Sequence, residues 1–171
     1  FPELRHLAEW LARGYAGEMV YLHKSAETRA DIRRFLPTAR SVIVTGTLYN
    51  TEPPVSGDRP RPAAPPPRPR DAVRVARYAR GDDYHVVLAE RLEALAAWLR
   101  ARHGEGCDAA VFVDKHHVQE RAFAARAGLG WVGKNACLIN AEIGSWILLA
   151  GIATSLALEP DAPAPDQCGS C

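Results

Sequence analysis

Residues 84–114 read YHVVLAERLEALAAWLRARHGEGCDAAVFVD and set a long helix directly before a short strand. Leu88, Leu92, Leu95 and Leu99 recur every three to four residues, which predicts one apolar stripe on a helix from about Tyr84 to His103, closed by Gly104. Ala109-Ala110-Val111-Phe112-Val113 is short and apolar, as a buried strand requires, and it ends at Asp114. The alternation continues outward in both directions. Toward the C-terminus, Val118 to Ala127 predicts a shorter helix stopped by Gly128, and Ser145 to Ile152 another strand. Toward the N-terminus, Arg40 to Thr45 predicts a strand leaving through Gly46 into Leu48-Tyr49, while Leu4, Leu7, Leu11 and Tyr15 mark a helix ended by Gly14 and Gly17. Helices alternating with strands predict an α/β (α+β) domain of two or three layers.

Two segments stand outside that pattern. Residues 53–70 are crowded with proline and arginine, which excludes helix and central strand and leaves a surface loop. The Arg59, Arg61, Arg68 and Arg70 set could touch phosphates, though a solvated linker explains it equally well. Residues 159–171 form a second, extended lead-in, EPDAPAPDQCGSC, ending on Cys168-Gly169-Ser170-Cys171. Two thiols three apart can face one centre, and C-x-x-C opens the runs that hold [4Fe–4S] clusters, but also half a zinc site or a redox pair. The spacing alone leaves these open.

Composition narrows the function classes. At 171 residues with a net charge of +1, the chain can bury a core and has no general polyanion-binding balance, so any nucleic-acid contact needs a local basic face. Four cysteines in this length do not make a disulfide scaffold, and Cys107 and Cys137, beside apolar neighbours, read as buried free thiols. No apolar run is long enough to cross a membrane and the start, Phe1-Pro2-Glu3-Leu4, lacks a charged leader, which predicts a cytoplasmic setting.

Three motifs carry candidate chemistry. Gly128-Leu129-Gly130-Trp131-Val132-Gly133-Lys134-Asn135 matches G-x-G-x-x-G, but a phosphate loop needs a strand before it and a helix after it, and here the order is helix then strand at Cys137-Leu138-Ile139. Asp114-Lys115-His116-His117, with His103 and Cys107 near, offers metal donors at irregular spacing, better read as exposed loop histidines. Asp114-x-His116-x-x-Gln119 approaches the cobalt-ligating motif of cobalamin mutases, yet lacks its glycine. Asp114 itself ends a strand, where α/β sheets present reactive groups, although the residues alone favour a plain helix N-cap at that position.

Arg77-Tyr78-Ala79-Arg80-Gly81-Asp82-Asp83-Tyr84-His85, Val113-Asp114 with Glu120-Arg121, the glycine run 127–135, Gly144-Ser145-Trp146 and the final C-x-x-C occur together in order. In that order and spacing they resemble the epoxyqueuosine reductase family, cobalamin and iron–sulfur enzymes that finish queuosine in tRNA. The resemblance implies a nitroreductase-like or reductive-dehalogenase-like cobalamin-binding module over residues 1–158, then the start of a ferredoxin-like 4Fe-4S domain over 159–171. It implies Asp114 as proton donor to the departing epoxide oxygen, and Arg40, Arg77, Tyr78, Asp114, Leu138 and Leu149 as cobalamin contacts. Cys168 and Cys171 become cluster ligands, with the remaining ligands expected beyond residue 171. Gln119, Glu120 and Arg121 become contacts to the tRNA anticodon stem-loop, with a structural salt bridge as the alternative for Glu120-Arg121. Lys115-His116-His117 departs from the family pattern of small residues or proline after the aspartate. The expected enzyme is a monomer off the membrane with an unspecified electron donor. The alternatives are another corrinoid iron–sulfur reductase, or a cobalamin-binding module without catalysis.

Overall fold

The computed structural model describes residues 2–49 and 75–170, with side chains from residue 6 onward; the proline-rich loop 53–70 and Cys171 lie outside the described residues. In chain order the elements are α1 (Pro2–Ala12), α2 (Val20–Lys24), α3 (Ala26–Ala30), a 3-10 turn (Ile32–Arg34), β1 (Ser41–Leu48), a 3-10 turn (Arg77–Ala79) and α4 (Tyr84–His103). Then follow β2 (Ala109–Val113), α5 (Glu120–Arg126), β3 (Trp131–Val132), β4 (Leu138–Ile139) and β5 (Ile147–Thr154).

The main sheet has the order β1-β5-β2, with both outer strands antiparallel to β5. Its register runs from Ser41↔Thr154 to Leu48↔Ile147 on one side and from Ala109↔Thr154 to Val113↔Ala150 on the other. The C-terminal ends of β1 and β2 therefore meet the start of β5 at one end of the sheet, where Tyr49, Asp114 and Trp146 emerge.

Alternation along the strands sends neighbours to opposite faces and gives three layers. On one face Val113, Ala150 and Ile152 pack with Leu88, Leu92, Ala96 and Leu99 of α4. Each buried leucine there contributes about 1.5–3 kcal/mol. On the other face Phe112 packs with Val118, Phe123 and Phe35. The outer edge of β2 is covered at its ends: the Arg100 guanidinium donates to the Ala109 carbonyl, and the Val113 N–H donates to His116 Nδ1 at 3.0 Å. Both contacts blunt a strand edge that would otherwise offer itself to another chain.

The mixed α/β class agrees with the sequence reading, and α4 and β2 have the boundaries it gave. Asp83 explains the start of α4, because its side chain accepts the His85 N–H at 2.9 Å. The other boundaries move. Strand β5 begins at Ile147 and runs to Thr154, β1 extends to Leu48, and α5 begins at Glu120 because Val118 is buried in the Phe112 cluster. The first helix stops at Ala12, ahead of Gly14, whose φ of +72° turns the chain.

The glycine run is a hairpin, β3 pairing antiparallel with β4 through Trp131↔Ile139 and Val132↔Leu138. Gly130 has a φ of +156°, and a Cβ there would lie 2.2 Å from the Ile139 carbonyl oxygen. The space beside this glycine is filled by the protein's own backbone, which accounts for it without a phosphate. Residues 157–170 contain no helix or strand and fold back on the domain: a Cβ at Gly128 would meet the Ala162 carbonyl oxygen at 2.7 Å.

Candidate active site

Asp114 follows β2 with a φ of +34°, a region that costs most side chains but that aspartate tolerates. The Lys115 N–H turns back to the Val113 carbonyl, closing a tight turn centred on the acid. Asp114 is no helix cap: α5 starts at Glu120 with Gln119 as its preceding residue, and the carboxylate reaches instead toward α4. Its Oδ2 accepts the Tyr84 hydroxyl at 2.9 Å, and His85 Nε2 lies 3.4 Å from the same oxygen. The tyrosine bond is the stronger at those distances. His85 Nδ1 sits 2.6 Å from Asp83 Oδ1, so the imidazole bridges two carboxylates.

The electrostatics follow from this packing. Partial burial, reinforced by the Asp114 bond, pushes the Tyr84 phenol up to about 12, so it stays a donor. The His85 backbone N–H and ring hold Asp83 below the usual carboxylate range. An aromatic run extends from the acid across the end of the sheet. Tyr84 stacks on His85 with centroids 4.1 Å apart, then Tyr78, Tyr49 and Trp146 follow edge to face at 6.0, 6.5 and 5.5 Å. The Arg77 guanidinium lies 5.0 Å from the centroid of Trp146. Tyr78 and Trp146 are 49% and 43% exposed, so this is an open platform and not a core.

Of the cobalamin contacts implied by sequence, Arg77 and Tyr78 join Asp114 around this platform. Leu149 lies on β5 opposite Gly46, two residues in from the start of that strand, and Leu138 is buried in the hairpin. Arg40 does not join them: its N–H pairs with the Thr154 carbonyl at the far end of β1, a strand length of about 23 Å away. Tyr49 and Trp146 complete the platform and were not singled out as site residues, since their meeting depends on the antiparallel pairing of β1 with β5.

Behind α5 lies a cleft of about 590 Å³, bordered by Arg29, α5, Trp131 and the tail at Pro163 and Asp166. Gln119, Glu120 and Arg121 all line it. Gln119 donates to the Arg29 carbonyl at 3.0 Å and Arg121 to the Ala136 carbonyl. Glu120 Oε1 and Trp131 Nε1 are buried and make no hydrogen bond among the described residues. Burial, with the Asp114 charge adding to it, pushes the Glu120 carboxyl up to about 7. The alternative reading of Glu120-Arg121 as a salt bridge finds no such pair among the described residues.

His116 Nδ1 is engaged by the β2 edge, and Cys137, read from the sequence as buried, is exposed. Among the described residues no three His, Cys, Asp or Glu side chains converge on a metal position. Cys168 is a free, partly buried thiol on the tail; its N–H donates to Asp166 Oδ1 at 2.8 Å, and Lys134 Nζ donates to the Gly169 carbonyl at 2.6 Å. The tail turn that bears the cysteine is thus tied to the glycine hairpin.

The family model described as Epoxyqueuosine reductase QueG, DUF1730, matches residues 29–115, a span that holds β1, α4, β2 and the acid. The chain belongs to the epoxyqueuosine reductase family. It is 48% identical over 165 residues to an epoxyqueuosine reductase of Gloeobacter violaceus, covering 96% of this chain and 47% of that protein. A Synechocystis epoxyqueuosine reductase is 41% identical over 167 residues, covering 98% of this chain and 53% of its own. The chain spans about half the length of these curated relatives. Among solved structures it matches a crystal structure of epoxyqueuosine reductase with a tRNA-Tyr epoxyqueuosine-modified stem loop, at TM-score 0.66 and 32% identity over 85% of this chain and 36% of that one. It also matches a Bacillus subtilis epoxyqueuosine reductase whose aspartate-bearing catalytic loop is swung out of the active site, at TM-score 0.64 and 32% identity over 85% of this chain and 36% of that one.

Proposed function

We propose that this chain is the catalytic, cobalamin-binding part of an enzyme that reduces epoxyqueuosine to queuosine at the wobble position of tRNA. The observation that carries the reading is Asp114, held on a strained turn with Oδ2 bonded by Tyr84 and flanked by His85, in a family whose Bacillus subtilis member has a catalytic loop named for an aspartate. Removing the epoxide oxygen as water takes two electrons and two protons. Asp114 delivers the first proton to the oxygen as the carbon–oxygen bond opens. With Oδ2 engaged by Tyr84, Oδ1 is the oxygen left to present that proton. His85, bridging Asp83 and Asp114, gives the proton a route back.

The residues at this end of the sheet fit a corrin. Exposed faces of Tyr78 and Trp146 suit a broad, flat, largely apolar ring, and Arg77 with the backbone amides near Leu138 suits its amide side chains. Leu149 and Leu138 would add apolar contact, and Arg40, at the opposite end of β1, would contact a more distant part of the cofactor. Bound cobalamin would supply the electrons that open the epoxide, fed from [4Fe–4S] clusters. Cys168 fits a cluster ligand, being a free thiol on a turn fixed by Lys134 and Asp166, with Cys171 as its partner. The layered sheet with helices on both faces is compatible with a nitroreductase-like or reductive-dehalogenase-like module over residues 1–158 and a ferredoxin-like domain beginning at 159.

The substrate is a tRNA anticodon stem-loop. Its contacts are assigned to the cleft of Gln119, Glu120 and Arg121, where an arginine rim and unsatisfied polar atoms suit a splayed nucleotide. Among the described residues no helix is long and apolar enough to cross a membrane, and we assign a monomer acting in the cytoplasm with its tRNA.

The test uses the full-length protein, epoxyqueuosine-containing tRNA and a chemical reductant, with iron, sulfide and cobalamin measured beside turnover. Wild type should form queuosine. Asp114→Asn keeps the shape of the side chain but has no acidic proton, so it should lose about 10²–10⁴-fold in turnover while retaining cobalamin and tRNA binding. Near-normal turnover by the variant would remove Asp114 from the mechanism.

A further inference from the structure

Two residues past Asp114 the chain places a histidine that its family resemblance does not explain. The His116 ring packs edge to face on Phe35, with centroids 5.4 Å apart, and Phe35 in turn packs on Phe112 at 6.1 Å in the core of the sheet. His116 Nδ1 lies 3.0 Å from the Val113 nitrogen and 3.3 Å from the Val113 oxygen. One nitrogen cannot serve both. The Val113 carbonyl already accepts the Lys115 N–H, whereas the Val113 N–H points off an outer strand, so Nδ1 is the acceptor and the hydrogen of the neutral ring sits on Nε2.

We propose that His116 is a positioning residue: a latch that holds the acid's turn against the sheet and keeps Asp114 at the site. This rests on the reductase reading above. A latch matters here because the central residue of the turn has a φ of +34°, a sparsely populated conformation that an unrestrained loop relieves by swinging away. Tyr84 and His85 hold the acid by its carboxylate, a contact that proton transfer itself disturbs. The latch acts on backbone one residue before the acid and on an aromatic anchor in the core, neither of which changes during the reaction. It requires an acceptor in the Nδ1 position. Asparagine carries an oxygen at that place in its side chain and should substitute; alanine should not.

The experiment compares wild type, His116→Ala and His116→Asn in the full-length protein, reading amide hydrogen exchange over residues 112–118 and steady-state turnover on epoxyqueuosine tRNA. In His116→Ala the Val113 amide should exchange at least about tenfold faster and kcat should fall about three- to tenfold with KM for tRNA held, as expected for losing one hydrogen bond from a loop equilibrium. His116→Asn should restore both to within about threefold of wild type. Unchanged exchange in His116→Ala overturns the latch. So does faster exchange with unchanged kcat, or failure of asparagine to rescue a variant that melts like wild type. Wild-type protein inactive on epoxyqueuosine, with exchange ordered as expected among the three, overturns the reductase reading and upholds the latch.

Discussion

The acid end of the sheet and the cleft behind α5 each hold a carboxylate from the same short stretch of chain, and the two are treated in opposite ways. Asp114 is 64% exposed at its side chain, yet it is bonded by Tyr84 and flanked by a bridged histidine. Glu120 is largely buried and its Oε1 has no partner among the described residues. The first region is complete within this chain: strand end, turn and the start of α4 assemble it. The second has desolvated a carboxyl and an indole N–H beside an open cleft, a cost of about 1–3 kcal/mol per unsatisfied group that an incoming hydrogen-bonding partner would relieve. One region has its carboxylate hydrogen-bonded within the described residues; the other leaves two buried polar atoms without a partner among them.

The contrast can be tested through stability, where Glu120 should give the larger effect. Its folded pKa, pushed from 4.5 to about 7, means the folded state holds the proton more tightly than the unfolded chain. The stability it contributes is therefore fully present below about pH 4.5 and is lost as pH rises through 7. Glu120→Gln, neutral at every pH, should match wild type near pH 4.5 and exceed it at pH 8 by on the order of 2 kcal/mol in urea unfolding. An equal difference at both pH values would mean that Glu120 is not a strained carboxyl, and the comparison would break.

At the acid end, Tyr84→Phe keeps the ring stack and removes one donor. Turnover should fall about tenfold, equivalent to about 1.4 kcal/mol, with the melting temperature little changed. If the rate is unaffected, the preorganisation attributed to this region is wrong. The smallest effect belongs to the cleft again. Trp131→Phe removes a buried donor that has no acceptor, so lost ring area and relieved desolvation should offset, leaving stability within about 1 kcal/mol of wild type. A loss of several kcal/mol would show that Trp131 Nε1 is satisfied in solution.

Much of the fold was legible because its main elements carry strong local signals. Helix α4 has a leucine stripe, an aspartate cap and a closing glycine; β2 has five apolar residues ending on a carboxylate. The elements that were missed, α2, α3 and β3, are two to five residues long, too short to express a period. The candidate site was legible only in part. Asp114 announces itself as a charge at a strand end, but its bond to Tyr84 spans thirty residues, and nothing local says that the two meet. The same limit hid the platform, since Tyr49 and Trp146 meet only through strand pairing across a hundred residues of chain. Arg40, next to β1 by sequence, has its backbone at the opposite end of the sheet from Asp114.

The order β1-β5-β2 also governs when this protein can begin to fold. Among the described strands of the main sheet, β1 and β2 each pair with β5, which follows both of them in the chain. A nascent chain can therefore form α4 and the β3–β4 hairpin early, but the described strands of the main sheet pair only once β5 has emerged from the ribosome. Until then β1 and the apolar residues of β2 wait with open edges, the state in which chaperones engage a chain and aggregation competes with folding. A stop codon just before Ile147 would remove eight residues of the sheet and, with them, all of its strand pairing.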